Sequence, residues 1–122
     1  MYKVEKDGAR EYRISMEAIV DAHDDEEQAS GWYYYLDEKM NFPFMAKCIK
    51  VAPKSPLHEG EQISVIQLAP EDECRHELFV EIEWQDRTFC VPLVQLQPID
   101  VDEQTQEAVE DWHYWMDRGY EL

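Results

Sequence analysis

The sequence predicts an α+β protein in which a small, strongly bent antiparallel β-barrel of the SH3-like kind lies between N-terminal helices and a C-terminal helix. Residues 1–41 and 99–122 carry apolar residues at helical spacing, whereas residues 42–98 contain short apolar runs separated by turn residues. The chain has 122 residues and no internal repeat or long linker. We therefore expect a single domain, residues 1–122, with one hydrophobic core.

The first zone predicts helices. Ser15 is a candidate N-cap for a helix that begins near Met16, and Asp24 is a candidate cap for a second helix. Gly31 is a potential weak point in the second helix. This helix should stop before Pro43, because proline disfavours helical geometry in the residue that precedes it. The apolar stripe of this helix is expected to contain Ala29, Trp32 or Tyr33, Leu36 and Met40.

The middle zone predicts five short strands, at residues 44–51, 62–68, 78–84, 88–91 and 98–101, with a helical turn at 94–96. The third strand alternates, so Leu78, Val80, Ile82 and Trp84 should share a buried face. Asp86 and Arg87 are expected to form the hairpin turn that follows. Five strands this short cannot form a large open sheet with two buried faces, and a bent barrel is the economical solution.

The last zone predicts one helix over residues 105–117. Asp102 is a good N-cap for it, and Gly119 is a plausible C-terminal cap. Its apolar stripe consists of Val109, Trp112, His113 and Met116. This helix should pack on the barrel or on the first helices.

The composition is strongly acidic. The chain has 28 Asp and Glu against 11 Lys and Arg, which gives a net charge of −17. Nucleic acids and anionic membranes are therefore poor partners, because phosphate binding needs a surplus of Lys and Arg. Metal ions or a basic protein partner are favoured, and the simpler alternative is that the acidity only maintains solubility. With no membrane-spanning apolar run and no signal peptide in the sequence, a cytoplasmic location is expected.

Catalytic and sulfur-based metal sites are not indicated. The cysteines are Cys48, Cys74 and Cys90, an odd number without CxxC spacing, which argues against a disulfide framework and a zinc ribbon. Cys48 and Cys90 lie in apolar runs and are expected to be buried. No nucleophile, phosphate-loop or HExxH motif is present, so the protein is not expected to be an enzyme.

Oxygen ligands are abundant, and calcium takes six to eight of them. The EF-hand pattern nevertheless fails. In the register that begins at Asp21, Glu26 occupies the position of the required glycine and Trp32 that of the closing glutamate. In the register that begins at Asp100, Thr105 stands where the glycine is needed. Any calcium site must therefore be of another kind.

Three acidic clusters remain as candidates. The first has a structural explanation, because acids at a helix start complement the helix dipole. Asp37 and Glu38 lie near a helix C-terminus, where negative charge is unfavourable and a bound cation would resolve the conflict. The third cluster lies on a loop. The clusters are Asp21, Asp24, Asp25, Glu26 and Glu27; Asp37 and Glu38; and Glu71, Asp72 and Glu73.

Helix geometry limits how these clusters combine. On one straight helix, Asp25 and Asp37 would be roughly 18 Å apart at about 1.5 Å per residue, too far for one ion. Either the chain folds back near Gly31 or the clusters serve separate sites, and the loop at residues 71–73 could reach either. More than one ion per chain is therefore our hypothesis.

Several aromatic and turn motifs, taken together, resemble the small acidic calcium-binding proteins of the cyanobacterial CcbP type. The resemblance extends from about Arg13 to Tyr120, and its most distinctive parts are the runs Gly31-Trp-Tyr-Tyr-Tyr-Leu36 and Asp111-Trp-His-Tyr-Trp115. The other matching segments are residues 41–44, 46–48, 56–57, 70–73, 91–93, 95–96 and 119–120.

The resemblance implies a Ca²⁺ buffer or sequestering protein with a non-EF-hand site of acidic side chains. The positions that match the family's acids are Asp37, Glu38, Glu71 and Asp72, and those that match less closely are Asp21 and Asp24. The alternative is an acidic interaction module that binds a basic partner, with Tyr33, Tyr34, Tyr35 and Trp115 as its anchors.

Overall fold

A computed structural model describes residues 5–20, 22–53 and 55–120 and confirms the α+β class. The helices are α1 (Gly8–Arg13), which continues into a π-helical turn (Ile14–Ala18), α2 (Asp25–Lys39) and α3 (Glu103–Asp117). The strands are β1 (Phe44–Cys48), β2 (Gln62–Leu68), β3 (Phe79–Trp84), β4 (Arg87–Pro92) and β5 (Leu96–Ile99). Short 3₁₀ turns cover Glu71–Glu73 and Leu93–Gln95. Within the described residues, no helix has the length and apolarity to cross a membrane.

Side-chain caps fix where the helices begin. Asp24 accepts a hydrogen bond of 2.8 Å from the backbone N–H of Glu27, and Asp102 accepts one of 3.0 Å from Thr105, as predicted. The cap predicted at Ser15 is wrong. Asp7 caps α1 eight residues earlier, and Ser15 lies inside the helical segment, where its hydroxyl donates to the carbonyl of Tyr12.

The second helix is continuous through Gly31, so the weak point predicted there is wrong. A Cβ atom at this position would collide with the backbone carbonyl of Ala18, which shows how closely α2 packs on the π-helical turn. The glycine is therefore a contact point between two segments. The predicted stripe is confirmed, because Ala29, Trp32, Leu36 and Met40 are all buried.

The sheet is antiparallel, with the strand order β4-β3-β2-β1-β5. Of the four residues predicted to share the buried face of the third strand, Leu78, Val80 and Ile82 are fully buried, and Trp84 is partly buried. The hairpin turn lies at Gln85 and Asp86, whose φ angles are 49° and 63°, one residue before the predicted position. Both are turn-compatible polar residues.

The barrel part of the prediction is not confirmed. Along the described chain, β4 and β5 form the two edges of the ladder and do not pair with each other. The 3₁₀ turn Leu93–Gln95 carries the chain from β4 to the opposite edge, where β5 pairs with β1. The last strand therefore begins at Leu96, two residues earlier than predicted, and the sheet remains open.

The core consists of buried side chains from the helices and from the sheet. Trp32 of α2 and Trp112 of α3 are both fully buried, and their rings meet edge to face at 5.1 Å. Cys48 is buried as predicted, but Cys90 is exposed, because it lies on the outward face of β4 next to buried Val91. The core anchors one face of α2, and Tyr34, Asp37 and Glu38 of this helix remain exposed to solvent.

Candidate metal centre

One face of α2 carries Ser30, Tyr34 and Asp37, which lie four and three residues apart and therefore line up along the helix. The opposite face buries Trp32 and Leu36, each with no exposed surface. Burial of these two large side chains fixes the rotation of the helix, and that rotation places the polar face outward.

The 3₁₀ turn Glu71–Glu73 lies across this face. It follows β2 after Ala69, whose carbonyl accepts a hydrogen bond of 2.8 Å from the hydroxyl of Tyr33. The Glu71 carboxylate accepts two more bonds from α2. Ser30 Oγ donates to Oε2 at 3.1 Å, and the Tyr34 hydroxyl donates to Oε1 at 2.8 Å. The acidic loop is thus attached to the helix.

The charges of Asp37 and Glu71 act on the same two tyrosine hydroxyls. The pKa of Tyr34 is raised, first by its hydrogen bond to Glu71 and then by the charges of Glu71 and Asp37. The pKa of Tyr33 is raised mainly by burial, with further contributions from Asp37 and Glu71. Two of the sequence-predicted acids are therefore brought to one region of the surface.

An open cleft of about 990 Å³ lies between the start of α2 and the 3₁₀ turn. It brings Glu71 together with Asp24 and Asp72, two further predicted residues. The remaining lining residues are Asp25, Glu26, Glu27, Ala29, Ser30, Cys74, Arg75 and His76. Glu71 is therefore shared by the cleft and by the tyrosine face.

The other predicted residues lie at the ends of the helix. Asp24 uses Oδ1 to cap α2, which is the structural explanation for its position. Glu38 is exposed in the last turn, and the ammonium of neighbouring Lys39 lies 3.7 Å from the carboxylate of Glu17. Asp21 lies outside the described residues.

The acids form two groups along the helix. Because α2 is continuous, Asp24 and Asp37 are separated by roughly 20 Å at about 1.5 Å per residue, so they cannot share an ion. Among the residues that the structure describes, no three His, Cys, Asp or Glu side chains converge tightly enough to hold a metal ion as they stand. Asp37, Glu38 and Asp72 are, however, exposed side chains that can rotate.

The donor chemistry suits a hard cation. The candidate ligands are carboxylate oxygens, which calcium and magnesium prefer over sulfur and imidazole. Cys74 lines the cleft but is buried, and its sulfur accepts a hydrogen bond of 3.4 Å from the N–H of Phe79. Burial also raises the pKa of this thiol, which disfavours the thiolate that a metal needs.

The sequence analysis did not assign Ser30 or Tyr34 to a metal centre. Their spacing from Asp37 was a usable signal, because positions three and four apart share a helix face. The aromatic anchors of the interaction-module alternative do not form an exposed patch. Tyr35 is buried, Tyr33 and Trp115 are partly buried, and of the four only Tyr34 is exposed, at 57%.

Comparisons with known proteins identify the family of the chain. A family model described as calcium binding matches residues 12–116. The crystal structure of Anabaena CcbP is 46% identical, with a TM-score of 0.89 and full coverage of both chains. A structure described as a calcium binding protein in the calcium-binding form is 45% identical, with a TM-score of 0.86 and full coverage of both chains.

A search of curated proteins finds no significant match. The family model covers most of the chain, and both solved structures cover all of it at well over 30% identity. The chain belongs to the CcbP family of calcium-binding proteins.

Proposed function

We propose that this protein binds Ca²⁺ as a cytoplasmic buffer, through carboxylates on the open face of α2 and on the 3₁₀ turn Glu71–Glu73. The observation that carries the proposal is the position of Glu71, which is hydrogen-bonded to α2 between two groups of acids. The ligands would be Asp37, Glu38, Glu71, Asp72 and Asp24, with backbone carbonyls and water completing the six to eight oxygens that calcium takes.

Electrostatic repulsion among the carboxylates favours the binding of a cation. The net charge of −17 opposes the compact state, and the acids of the α2 face and the loop concentrate part of it. A divalent cation held by these carboxylates offsets the repulsion and stabilises the folded form by mass action. Asp37 and Asp72 are exposed, so their side chains are free to rotate toward a bound ion.

Two ions per chain fit the spacing of the acids. One position lies in the cleft, with Asp24 and Asp72, and the other lies near Asp37 and Glu38. Because these groups are separated by roughly 20 Å along a continuous helix, they form separate positions. Glu71 lies between the two groups of acids and can coordinate one of the two ions.

Buffering is favoured over sensing by where the methionines lie. A calcium sensor opens a methionine-rich apolar groove when it binds its ion. Here Met40 is buried in the core, whereas Met16 and Met45 are exposed on different elements. A non-catalytic role is part of the proposal, and membership of a family of calcium-binding proteins supports it. An exposed free thiol at Cys90 fits a reducing compartment, and cell fractionation tests the cytoplasmic location.

Calorimetric titration of the double variant Asp37→Asn, Asp72→Asn tests the ligand set. We expect the chelator-stripped wild type to bind two equivalents of calcium in excess magnesium, because magnesium resists dehydration and demands octahedral geometry. The double variant should lose most of the binding heat and most of the calcium-dependent rise in melting temperature.

A matched control is Asp86→Asn with Asp100→Asn, which makes the same change in charge outside the proposed ligand set. Both residues have positive φ angles, which asparagine tolerates. Equal losses of binding heat in the two double variants would show that calcium binding depends only on net charge. A single equivalent in the wild type would reject the two-ion arrangement.

A further inference from the structure

We propose that Tyr34 and Ser30 are positioning residues that strengthen calcium binding by fixing the Glu71 carboxylate on the surface of α2. The inference rests on the proposed function, because it takes Glu71 as a calcium ligand. Neither hydroxyl needs to touch the ion. Their role is to hold the ligand that does.

The two donors engage both oxygens of one carboxylate. Tyr34 donates to Oε1 at 2.8 Å, and Ser30 donates to Oε2 at 3.1 Å. An ionised carboxylate offers about four lone-pair positions, so each oxygen keeps acceptor capacity for a cation. The hydrogen bonds and a bound ion are therefore compatible, and the donors define the direction in which the free lone pairs point.

Both donors stand on the same rigid element. Ser30 and Tyr34 lie four residues apart on α2, whose other face is anchored by fully buried Trp32 and Leu36. Tyr33 holds the neighbouring backbone through the carbonyl of Ala69. The loop thus approaches the helix with its backbone and its side chain both attached.

This attachment lowers the entropy that binding must remove. A free glutamate on an exposed turn loses rotamer freedom when it binds an ion, at a cost of about 1 kcal/mol or more. Hydrogen bonds to a ligating carboxylate orient it in advance, and loss of such a partner typically weakens metal affinity by about 10- to 100-fold. Because Tyr34 is exposed, we expect an effect at the lower end of that range.

The test is calcium titration of Tyr34→Phe and Ser30→Ala by calorimetry, beside the wild type. We expect Tyr34→Phe to weaken calcium binding about tenfold and Ser30→Ala by somewhat less, with ion-free melting temperatures close to that of the wild type. The matched control is Tyr12→Phe, because Tyr12 is 69% exposed and its hydroxyl makes no hydrogen bond in the described structure. Its affinity should be unchanged.

A double-mutant cycle with Glu71→Gln separates positioning from general stabilisation. If Tyr34 acts through Glu71, Tyr34→Phe should change the residual calcium affinity little once Glu71 is replaced. An equal loss in both backgrounds would overturn the inference, as would unchanged or tighter binding in the single variants. Tighter binding would mean that the hydroxyls compete with the ion. Failure of the wild type to bind calcium saturably would instead overturn the proposed function itself.

Discussion

Asp111 is the most constrained charged residue among those described. It is fully buried, and its Oδ1 accepts hydrogen bonds of 2.7 Å from Arg10 and 2.6 Å from Arg13. Its Oδ2 accepts bonds from Arg13 at 3.1 Å and from the hydroxyl of Tyr35 at 2.8 Å. One carboxylate therefore joins α1, α2 and α3. Burial, together with this carboxylate, raises the pKa of Tyr35.

Replacement of Asp111 by Asn should destabilise the protein by about 3 kcal/mol, because it leaves two arginines without their buried counter-charge. Urea denaturation measures the change in the free energy of unfolding. The control is Glu107→Gln, which removes an exposed partner 3.5 Å from Arg13 and should cost less than about 1 kcal/mol. Similar losses in the two variants would show that Asp111 acts only through surface charge.

The role of a residue could be predicted from the sequence when that role depended on residues close to it along the chain. Asp24 and Asp102 were identified as caps because each bonds to a backbone N–H three residues away. The roles of Asp111 and Glu71 could not be predicted in the same way. The arginines that contact Asp111 are 98 and 101 residues distant in sequence, and Tyr34 is 37 residues from Glu71. Only the assembled fold brings such groups together.

At the scale of elements, the contact between α2 and the π-helical turn Ile14–Ala18 determines how the helical layer is built. Gly31 allows the backbones to approach, because any side chain there would meet the carbonyl of Ala18. The continuous helix in turn keeps the two groups of acids apart.

The variant Gly31→Ala should lower the melting temperature, although alanine favours a helix over glycine by about 1 kcal/mol. The clash is with backbone, which cannot rotate away as a flexible side chain would. Gly8→Ala is the control, since a Cβ at the first residue of α1 meets no atom within 4 Å. Thermal unfolding of both variants checks this, and a rise in melting temperature for Gly31→Ala would contradict the close packing.

The types of the main helices and strands followed from sequence periodicity, most strand boundaries lie within two residues of the predicted ones, and the second strand was predicted at its observed bounds, Gln62–Leu68. The differences have local causes. Asp7 starts α1 earlier than Ser15 would, and the hairpin turn is shifted by one residue because Gln85 and Asp86 both adopt positive φ angles. Exposure of Cys90 was missed because a single edge strand with a partly polar pattern does not define which of its faces is buried.

At the scale of the whole molecule, the fold class was predictable, and the closure of the sheet was not. Closure depends on whether β4 and β5 pair, which the strand patterns do not specify. The net charge of −17 correctly favoured a cationic ligand, in agreement with the family. The sequence also provided all the acids of the proposed centre, but not the way in which the loop at Glu71 connects their two groups.

The central claim is that calcium binds on the α2 face and the adjoining turn, and NMR mapping of backbone amides during calcium titration tests it most directly. The measurement uses chelator-stripped protein in excess magnesium. We predict saturable shifts at residues 24–38 and 69–76, with small changes in β4 and β5, because the proposed buffer role requires no rearrangement of the core. Shifts concentrated in the sheet, or weak unsaturable shifts spread over all acidic residues, would contradict the account.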